Sequence, residues 1–112
     1  MPETHQREIR IYRTTSGREP FNEWLSAIRD IGTQARIRAR LERLEDGNLG
    51  DCQSVGEGVF ELRIHFGSGY RVYFGQIANT VILLLCGGDK SSQRRDIERA
   101  KTYWLEYKRR YL

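Results

Sequence analysis

The chain has 112 residues, with 19 lysines and arginines against 15 aspartates and glutamates and a formal net charge of +4 at neutral pH. This length allows a single domain, residues 1–112, around one core, and the composition excludes collagen-like, coiled-coil and disordered proteins. The longest apolar run, residues 81–86, is too short to cross a bilayer, and the mild positive charge favours an anionic partner, either nucleic acid or an acidic protein.

The two cysteines, Cys52 and Cys86, lie far apart and do not form a CxxC motif, and the N-terminus lacks the apolar segment of a secretory signal. We therefore expect a cytoplasmic protein with reduced thiols. Because a free cysteine usually behaves as a small hydrophobic residue, we expect Cys86 to lie in a buried strand.

The first predicted elements are a strand and a helix. Residues 8–13 alternate polar and apolar side chains and are followed by turn residues, which predicts a strand. The helix is indicated by apolar side chains at helical spacing, which are Phe21, Trp24, Leu25 and Ile28. Its start is marked either by Ser16 with Glu19 or by Pro20 as the first helical residue, and the sequence leaves both alternatives open.

A second helix is predicted between a break at residues 30–32 and Gly47. Its buried stripe consists of Ile37, Leu41 and Leu44. Its other faces carry Arg36, Arg38, Arg40 and Arg43. Arginine forms helices well and its charge belongs at the surface, so a solvated helix face explains these side chains. The alternative is a cationic flank for phosphate or for an acidic partner, with Arg36, Arg40 and Arg43 as candidate RNA-binding residues.

Residues 59–74 alternate apolar and polar side chains on both sides of a turn at residues 67–69, which predicts a β-hairpin. A three-residue loop would pair Phe66 with Tyr70, His65 with Arg71 and Arg63 with Tyr73. In this register apolar residues oppose apolar residues, whereas a two-residue loop would mix the two faces.

The same hairpin gathers polar side chains on one face of the sheet. They are Glu61, Arg63, His65, Arg71 and Tyr73. Since directly opposed residues lie about 5 Å apart, we expect these five side chains to form one cluster. This cluster is the most informative feature of the sequence.

The last part of the chain predicts a strand and a helix. Residues 80–86 form a continuous apolar run, typical of a central strand covered on both faces, which Gly87 and Gly88 are expected to end. Ser91 or Ser92 is expected to cap a final helix, whose inner side is formed by Ile97, Ala100, Trp104, Lys108 and Tyr111. The order predicts an α+β fold: strand, helix, helix, then a three- to four-stranded antiparallel sheet and a C-terminal helix. We expect the two first helices to cover one sheet face and the other face to stay partly open.

The polar cluster suits phosphodiester chemistry better than metal or triad chemistry. The chain has two histidines, of which His5 lies in the N-terminal tail, and it has neither a GxSxG nor a Walker A motif, so no metal and no cofactor are expected. RNA carries its own nucleophile, the 2′-hydroxyl, and needs positioning, charge stabilisation and proton transfer. Arg63 and Arg71 could hold the scissile phosphate through bidentate hydrogen bonds.

Lys90 is a third candidate cation, since it follows Gly87, Gly88 and Asp89 near the start of the last helix, where backbone N–H groups favour anions. An ordinary turn explains Asp89 and Lys90 equally well. The catalytic base is expected among His65, Glu61, Tyr73 and Lys90. Histidine is the side chain best suited to acid–base work at neutral pH, which favours His65, whereas Glu61 has the rival role of an ion-pair partner for an arginine.

Several segments resemble the RelE/ParE superfamily of toxins, and in particular the HigB-type addiction module killer proteins. They are VGEGVFELRIHFGSGYRVYF, LLLCGGDKSSQ, PFNEWL and RLEDGNLGD, so the resemblance covers nearly the whole chain. It implies a RelE-like fold, and, for many members, cleavage of messenger RNA in the ribosomal decoding site, which inhibits translation. Carried over by position, Arg63, Arg71 and Lys90 match the basic residues of this group, while the general base does not carry over.

The resemblance also implies partners. An antitoxin, commonly a helix-turn-helix protein, binds the toxin tightly, and the complex represses its own promoter, so operator DNA is reached through the antitoxin. ParE-type members share the fold but poison DNA gyrase by binding, without RNA cleavage, and this is the alternative function. A third possibility is a module whose cationic face serves for antitoxin binding alone. The cluster of Arg63, His65, Arg71 and Tyr73 favours the nuclease.

Overall fold

The computed structural model describes residues 6–112, so His5 lies outside the described residues. The chain begins with strand β1 (Glu8–Ile11) and helices α1 (Pro20–Ala27) and α2 (Ile31–Glu45). Four strands follow, β2 (Cys52–Gly56), β3 (Val59–Ile64), β4 (Tyr70–Ile77) and β5 (Val81–Asp89). A single 3₁₀ turn (Lys90–Ser92) then leads into the C-terminal helix α3 (Gln93–Tyr111). The α+β class and the predicted order of elements are confirmed.

The strands form one five-stranded sheet in the order β1-β5-β4-β3-β2. Strands β2 to β5 are antiparallel neighbours, as expected, but β1 pairs in parallel with β5. The expectation of a three- to four-stranded antiparallel sheet is therefore corrected to a five-stranded mixed sheet. Parallel neighbours need a long connection between them. Here the chain between β1 and β5 includes helices α1 and α2, which lets β5 run beside β1 in the same direction.

The helix boundaries follow local chemistry. Pro20 occupies the first turn of α1 and the preceding Glu19 makes no side-chain cap, so the Pro20 alternative is confirmed and the start at Ser16 is wrong. Asp30 caps the start of helix α2, because its carboxylate accepts hydrogen bonds from the Gly32 N–H at 3.2 Å and the Thr33 hydroxyl at 2.8 Å. The helix stops before Gly47, which has a positive φ.

Both faces of the sheet are covered. Helices α1 and α2 pack on one face through Phe21, Leu25, Ile37, Leu41 and Leu44, as predicted. Helix α3 packs on the other face, where Ala100 and Trp104 contact a cluster that includes Val59, Tyr73 and Leu85. The second face was expected to stay partly open, and this is wrong for most of its length. Within residues 6–112, no helix is both long enough and apolar enough to span a membrane.

Strand β5 is buried between β1 and β4, as its apolar run predicts, and burial raises the pKa of the Cys86 thiol to about 12. Gly87 and Gly88 do not end this strand, which continues to Asp89. Their role is to leave space: a Cβ on Gly87 would lie 2.2 Å from the Trp24 ring, and one on Gly88 would lie 1.8 Å from a carboxylate oxygen of Asp96. These glycines let α1 and α3 approach the strand closely.

The hairpin register also differs from the prediction. Ile64 pairs with Tyr70, Arg63 with Arg71 and Glu61 with Tyr73, so the loop has residues 65–69 and not 67–69. Inside the loop, the Gly69 N–H donates a hydrogen bond to the carbonyl of residue 66 at 2.9 Å and closes a turn. Residues 65 and 66 therefore do not pair with β4. Because both loop lengths are odd, the predicted faces of the strands are correct while the predicted partners are wrong.

Candidate functional site

A pocket of about 540 Å³ opens at the end of the sheet, between the β3–β4 loop and the 3₁₀ turn. Four of the candidate catalytic side chains line it, namely Arg63, His65, Arg71 and Lys90. Among residues 6–112, no carboxylate belongs to its lining. The structure therefore brings together the predicted cations and the histidine in one cationic pocket.

Strand pairing explains why these side chains meet. Arg63 and Arg71 are directly opposed across β3 and β4, and Arg71 is opposed to Gly88 on its other side in β5. The space that a side chain at Gly88 would fill is occupied by Asp96 and Ser92 at the start of α3. Lys90 follows two residues later, at the start of the 3₁₀ turn, and is exposed. The Asp89 carboxylate accepts hydrogen bonds from the backbone and hydroxyl of Ser91, at 2.9 and 2.6 Å.

A fully buried carboxylate lies behind the two arginines. Glu61 accepts hydrogen bonds from Arg63 Nε at 3.0 Å, from the Tyr73 hydroxyl at 3.1 Å and from Gln93 Nε2 at 2.9 Å. Its Oε2 also lies 3.5 Å from Arg71 Nε. Burial acts to raise the pKa of Glu61, but the hydrogen bonds and the neighbouring arginines outweigh it, so this pKa is lowered and the group is ionised.

Tyr73 lies in the same covered region. Its ring is fully buried beneath α3, and burial together with the Glu61 charge raises the pKa of its hydroxyl well above the usual value. Glu61 and Tyr73 were expected on an open face as candidates for proton transfer. The structure places both in the core instead, because α3 covers this part of the sheet.

Arg71 is the more deeply buried of the two arginines that line the pocket. Its side chain is 12% exposed, and its buried Nε donates no hydrogen bond within the part of the chain that the structure describes. Arg63, by contrast, is 33% exposed and bonded to Glu61. A largely desolvated guanidinium that borders a pocket and keeps unused donors is a natural ligand for an anion, phosphate in particular.

His65 belongs to the loop and not to a strand, so the predicted pairing with Arg71 is wrong. Its Nε2 lies 2.5 Å from Oδ2 of Asp51, in the loop between α2 and β2, and both side chains are exposed. This hydrogen bond lowers the pKa of the Asp51 carboxyl. Sequence analysis missed Asp51, because a residue in an irregular loop has no periodicity that would place it near the hairpin.

A second groove of about 380 Å³ adjoins the first on the side of α2. Among the candidate RNA-binding residues, Arg36 and Arg43 are exposed and line this groove. Arg40 also borders it but is buried, and it donates hydrogen bonds to the backbone carbonyls of Asn48, at 3.2 Å, and of Leu49. The expected solvated position of Arg40 is thus wrong, since its guanidinium holds the loop that follows α2. Burial lowers the pKa of this side chain.

Metal ligands do not gather at this site. Across residues 6–112, no group of three or more His, Cys, Asp or Glu side chains could hold a metal ion. The chemistry that the arrangement can support is anion binding by arginines and lysine, with a histidine–aspartate pair at the rim.

Comparison with known proteins identifies a family for the chain. The model of the family described as Phage derived protein Gp49-like (DUF891) matches residues 23–104. An uncharacterized protein of Haemophilus influenzae is 51% identical over 81 residues, which is 72% of this chain and 82% of that protein. The family match runs from α1 into α3 and therefore includes all the pocket residues.

Proposed function

The chain belongs to the phage-derived Gp49-like family, a RelE-like toxin family of addiction modules, and from this premise we propose that it cuts messenger RNA on the ribosome and so inhibits translation. Membership supports a toxin with an antitoxin as its partner. The nuclease activity, its dependence on the ribosome and the HigB-type grouping are our proposals. The observation that carries the nuclease is the cationic pocket itself, where Arg71, largely buried and adjacent to Glu61, lines the same cavity as Arg63 and Lys90.

The proposed reaction needs no group beyond the RNA and the protein. The 2′-hydroxyl loses its proton to a base and attacks the neighbouring phosphorus, forming a 2′,3′-cyclic phosphate. The bond to the 5′-oxygen of the next nucleotide breaks, and this oxygen receives a proton. Arg63 and Arg71 would hold the phosphoryl oxygens, whose negative charge grows in the transition state. Lys90, exposed at the pocket rim, would add positive charge.

His65 is the best candidate for the proton transfers. It lines the pocket, and Asp51 engages Nε2, so the other ring nitrogen remains for the substrate. Glu61 and Tyr73 are buried, which suits them to positioning the arginines and not to exchanging protons with RNA. The exposed Arg36 and Arg43 would bind RNA beside the pocket.

The toxin would act in the cytoplasm without a membrane partner, and a helix-turn-helix antitoxin would neutralise it. Operator DNA would be contacted through the antitoxin complex.

Induction of the chain in cells without an antitoxin tests this function. We expect growth arrest and new 5′ ends within translated messenger RNA, mapped by sequencing of transcript ends. Arg71→Ala should abolish both effects, while Arg38→Ala, an exposed α2 residue outside both cavities, should retain them. DNA damage with uncut transcripts would identify a gyrase poison instead. Harmless expression at high level would contradict both activities and leave a binding module.

A further inference from the structure

The cationic pocket and the second groove, which lies on the side of α2, are two parts of one depression. Their linings share Arg63, Ile64, His65 and Phe66, so the base of the β3–β4 loop forms the ridge between them. Together they exceed what a single phosphate fills, with volumes of about 540 and 380 Å³. A polyanion bound at Arg63 and Arg71 would therefore continue over this ridge toward α2.

A stacked pair of side chains stands on the far side of the ridge. The Arg36 guanidinium lies over the Phe66 ring, with Cζ 4.2 Å from the ring centroid. Phe66 is half-buried against the core formed with α1 and α2, which fixes its ring. Arg36 is exposed and lines the groove, so the plane of its guanidinium that faces away from Phe66 is open to a ligand.

This arrangement has the chemistry of a nucleobase platform. Unpaired bases of single-stranded RNA stack on aromatic rings and on arginine planes, whereas the bases of a duplex are already stacked on each other. The charge around the pair suits the RNA backbone, because the exposed Arg43 lies in the same groove. Asp51, the one carboxylate that the described residues contribute to the groove lining, is engaged by His65.

We propose that Arg36 and Phe66 form a stacking subsite for an unpaired base of single-stranded RNA, next to the nucleotide whose phosphate Arg63 and Arg71 hold. The proposal rests on the proposed function for the position of that phosphate. It adds a base-binding role that phosphate contacts alone would not provide. An acidic peptide could satisfy the arginines, but it would gain nothing from the base-sized flat surface.

Fluorescence anisotropy with two short oligodeoxynucleotides tests the subsite directly. One carries normal bases and the other is fully abasic, so the two have equal charge and neither has a 2′-hydroxyl that could be attacked. Wild-type protein should prefer the base-bearing strand by about fivefold or more, the range for stacking of one base. Arg36→Ala and Phe66→Leu should bring this preference close to one.

Matched variants separate stacking from charge and from folding. Arg38→Ala removes an equal charge from an exposed position of the same helix and should keep the preference, while weakening the binding of both strands slightly and equally. Phe66→Tyr retains an aromatic face and should restore what Phe66→Leu loses. Circular dichroism checks that each variant is folded.

Two results would overturn the subsite: a preference that is unchanged in folded Arg36→Ala and Phe66→Leu, or no binding of either strand at low salt. The outcome is independent of cleavage. If the preference behaves as expected but induced cells keep intact transcripts, the nuclease fails and the base subsite stands. If transcripts are cut while the preference does not depend on Arg36 and Phe66, the nuclease stands and the base subsite fails.

Discussion

The same face of the β3–β4 hairpin has two environments along its length. At the middle of the strands, Glu61 opposes Tyr73, and both are fully buried beneath α3. Two residues toward the loop, Arg63 opposes Arg71, and both border the pocket. The boundary lies where α3 begins, because the Gln93 side chain reaches Glu61 and the chain before it turns away from the sheet.

The two regions depend on each other. Two neighbouring guanidinium groups repel, and a carboxylate between them offsets one of the two positive charges while leaving the other for a ligand. Glu61 does this from the covered region, since it bonds Arg63 at 3.0 Å and lies 3.5 Å from Arg71. Glu61 and Tyr73 in the covered region are fully buried. The contribution of the covered region is to fix the direction of the cations in the open one.

The largest effect on stability is expected from truncating the α3 side chain that covers this sheet face. Trp104 is buried and packs directly over Gly75, where an added Cβ would lie 2.5 Å from its ring. Trp104→Ala should lower the free energy of unfolding by about 3–5 kcal/mol, measured by urea denaturation. Leu105→Ala, at a neighbouring position that is 46% exposed, should change it by less than about 1 kcal/mol. Equal effects of the two variants would mean that α3 does not seal this face.

Replacing the buried carboxylate of Glu61 should have the second largest effect on stability. Glu61→Gln leaves two arginines without their counter-charge and should cost about 2–3 kcal/mol at neutral pH. Because the pKa of Glu61 is lowered by folding, its contribution is complete above the unfolded value of about 4.3 and is lost as the pH falls through the folded value. The gap between wild type and variant should therefore shrink in acid. The exposed Glu42→Gln is the control, and a gap that does not vary with pH would refute an ionised Glu61.

A smaller effect is expected at the open rim. Asp51→Asn removes the carboxylate that orients His65 and should slow RNA cleavage about tenfold without a change in stability. Since the hydrogen bond to His65 lowers the pKa of Asp51, this carboxylate stays ionised at every pH at which translation proceeds, and the advantage of wild type should persist across that range. A pH–rate profile of both proteins measures it, with the exposed Asp46→Asn as control. Identical profiles would remove the pair from the reaction.

The smallest effect distinguishes positioning from proton transfer. Tyr73→Phe removes one of the hydrogen bonds to Glu61 and should cost about 1 kcal/mol of stability. Cleavage should stay within about twofold of wild type, because a buried hydroxyl does not reach RNA. A loss of cleavage far beyond this in a stable Tyr73→Phe protein would show that the covered region takes part in the chemistry.

Much of this arrangement could be predicted from periodicity. The stripe of Ile37, Leu41 and Leu44 identified the inner face of α2, and alternation along the hairpin put Arg63 and Arg71 on one side. The loop length could not be predicted, because three- and five-residue loops preserve the same alternation. A turn closed at Gly69 decides between them, and such a bond leaves no pattern in the sequence.

Two other differences between the predicted and the observed structure could have been foreseen from the spacing of residues in the sequence. Arg40 falls three residues after Ile37 and four before Leu44, a spacing that belongs to the buried stripe, and the structure buries it there. The inner side of α3, with Ala100 and Trp104, needed a surface to cover, and the polar face of the hairpin was the one left. Alternation assigns a residue to a face but does not say what covers that face.

Cleavage by purified Arg71→Ala in a reconstituted translation system tests the central claim most directly, namely that the open end of the hairpin is the phosphate site. We predict a loss of at least about 100-fold in the rate of mRNA cleavage, as for the removal of one transition-state donor, in a protein that circular dichroism shows to be folded, while the loss of a counter-charge for buried Glu61 should lower its free energy of unfolding by about 1–3 kcal/mol. Arg38→Ala should cleave like wild type in the same assay. Undiminished cleavage by folded Arg71→Ala would contradict the account.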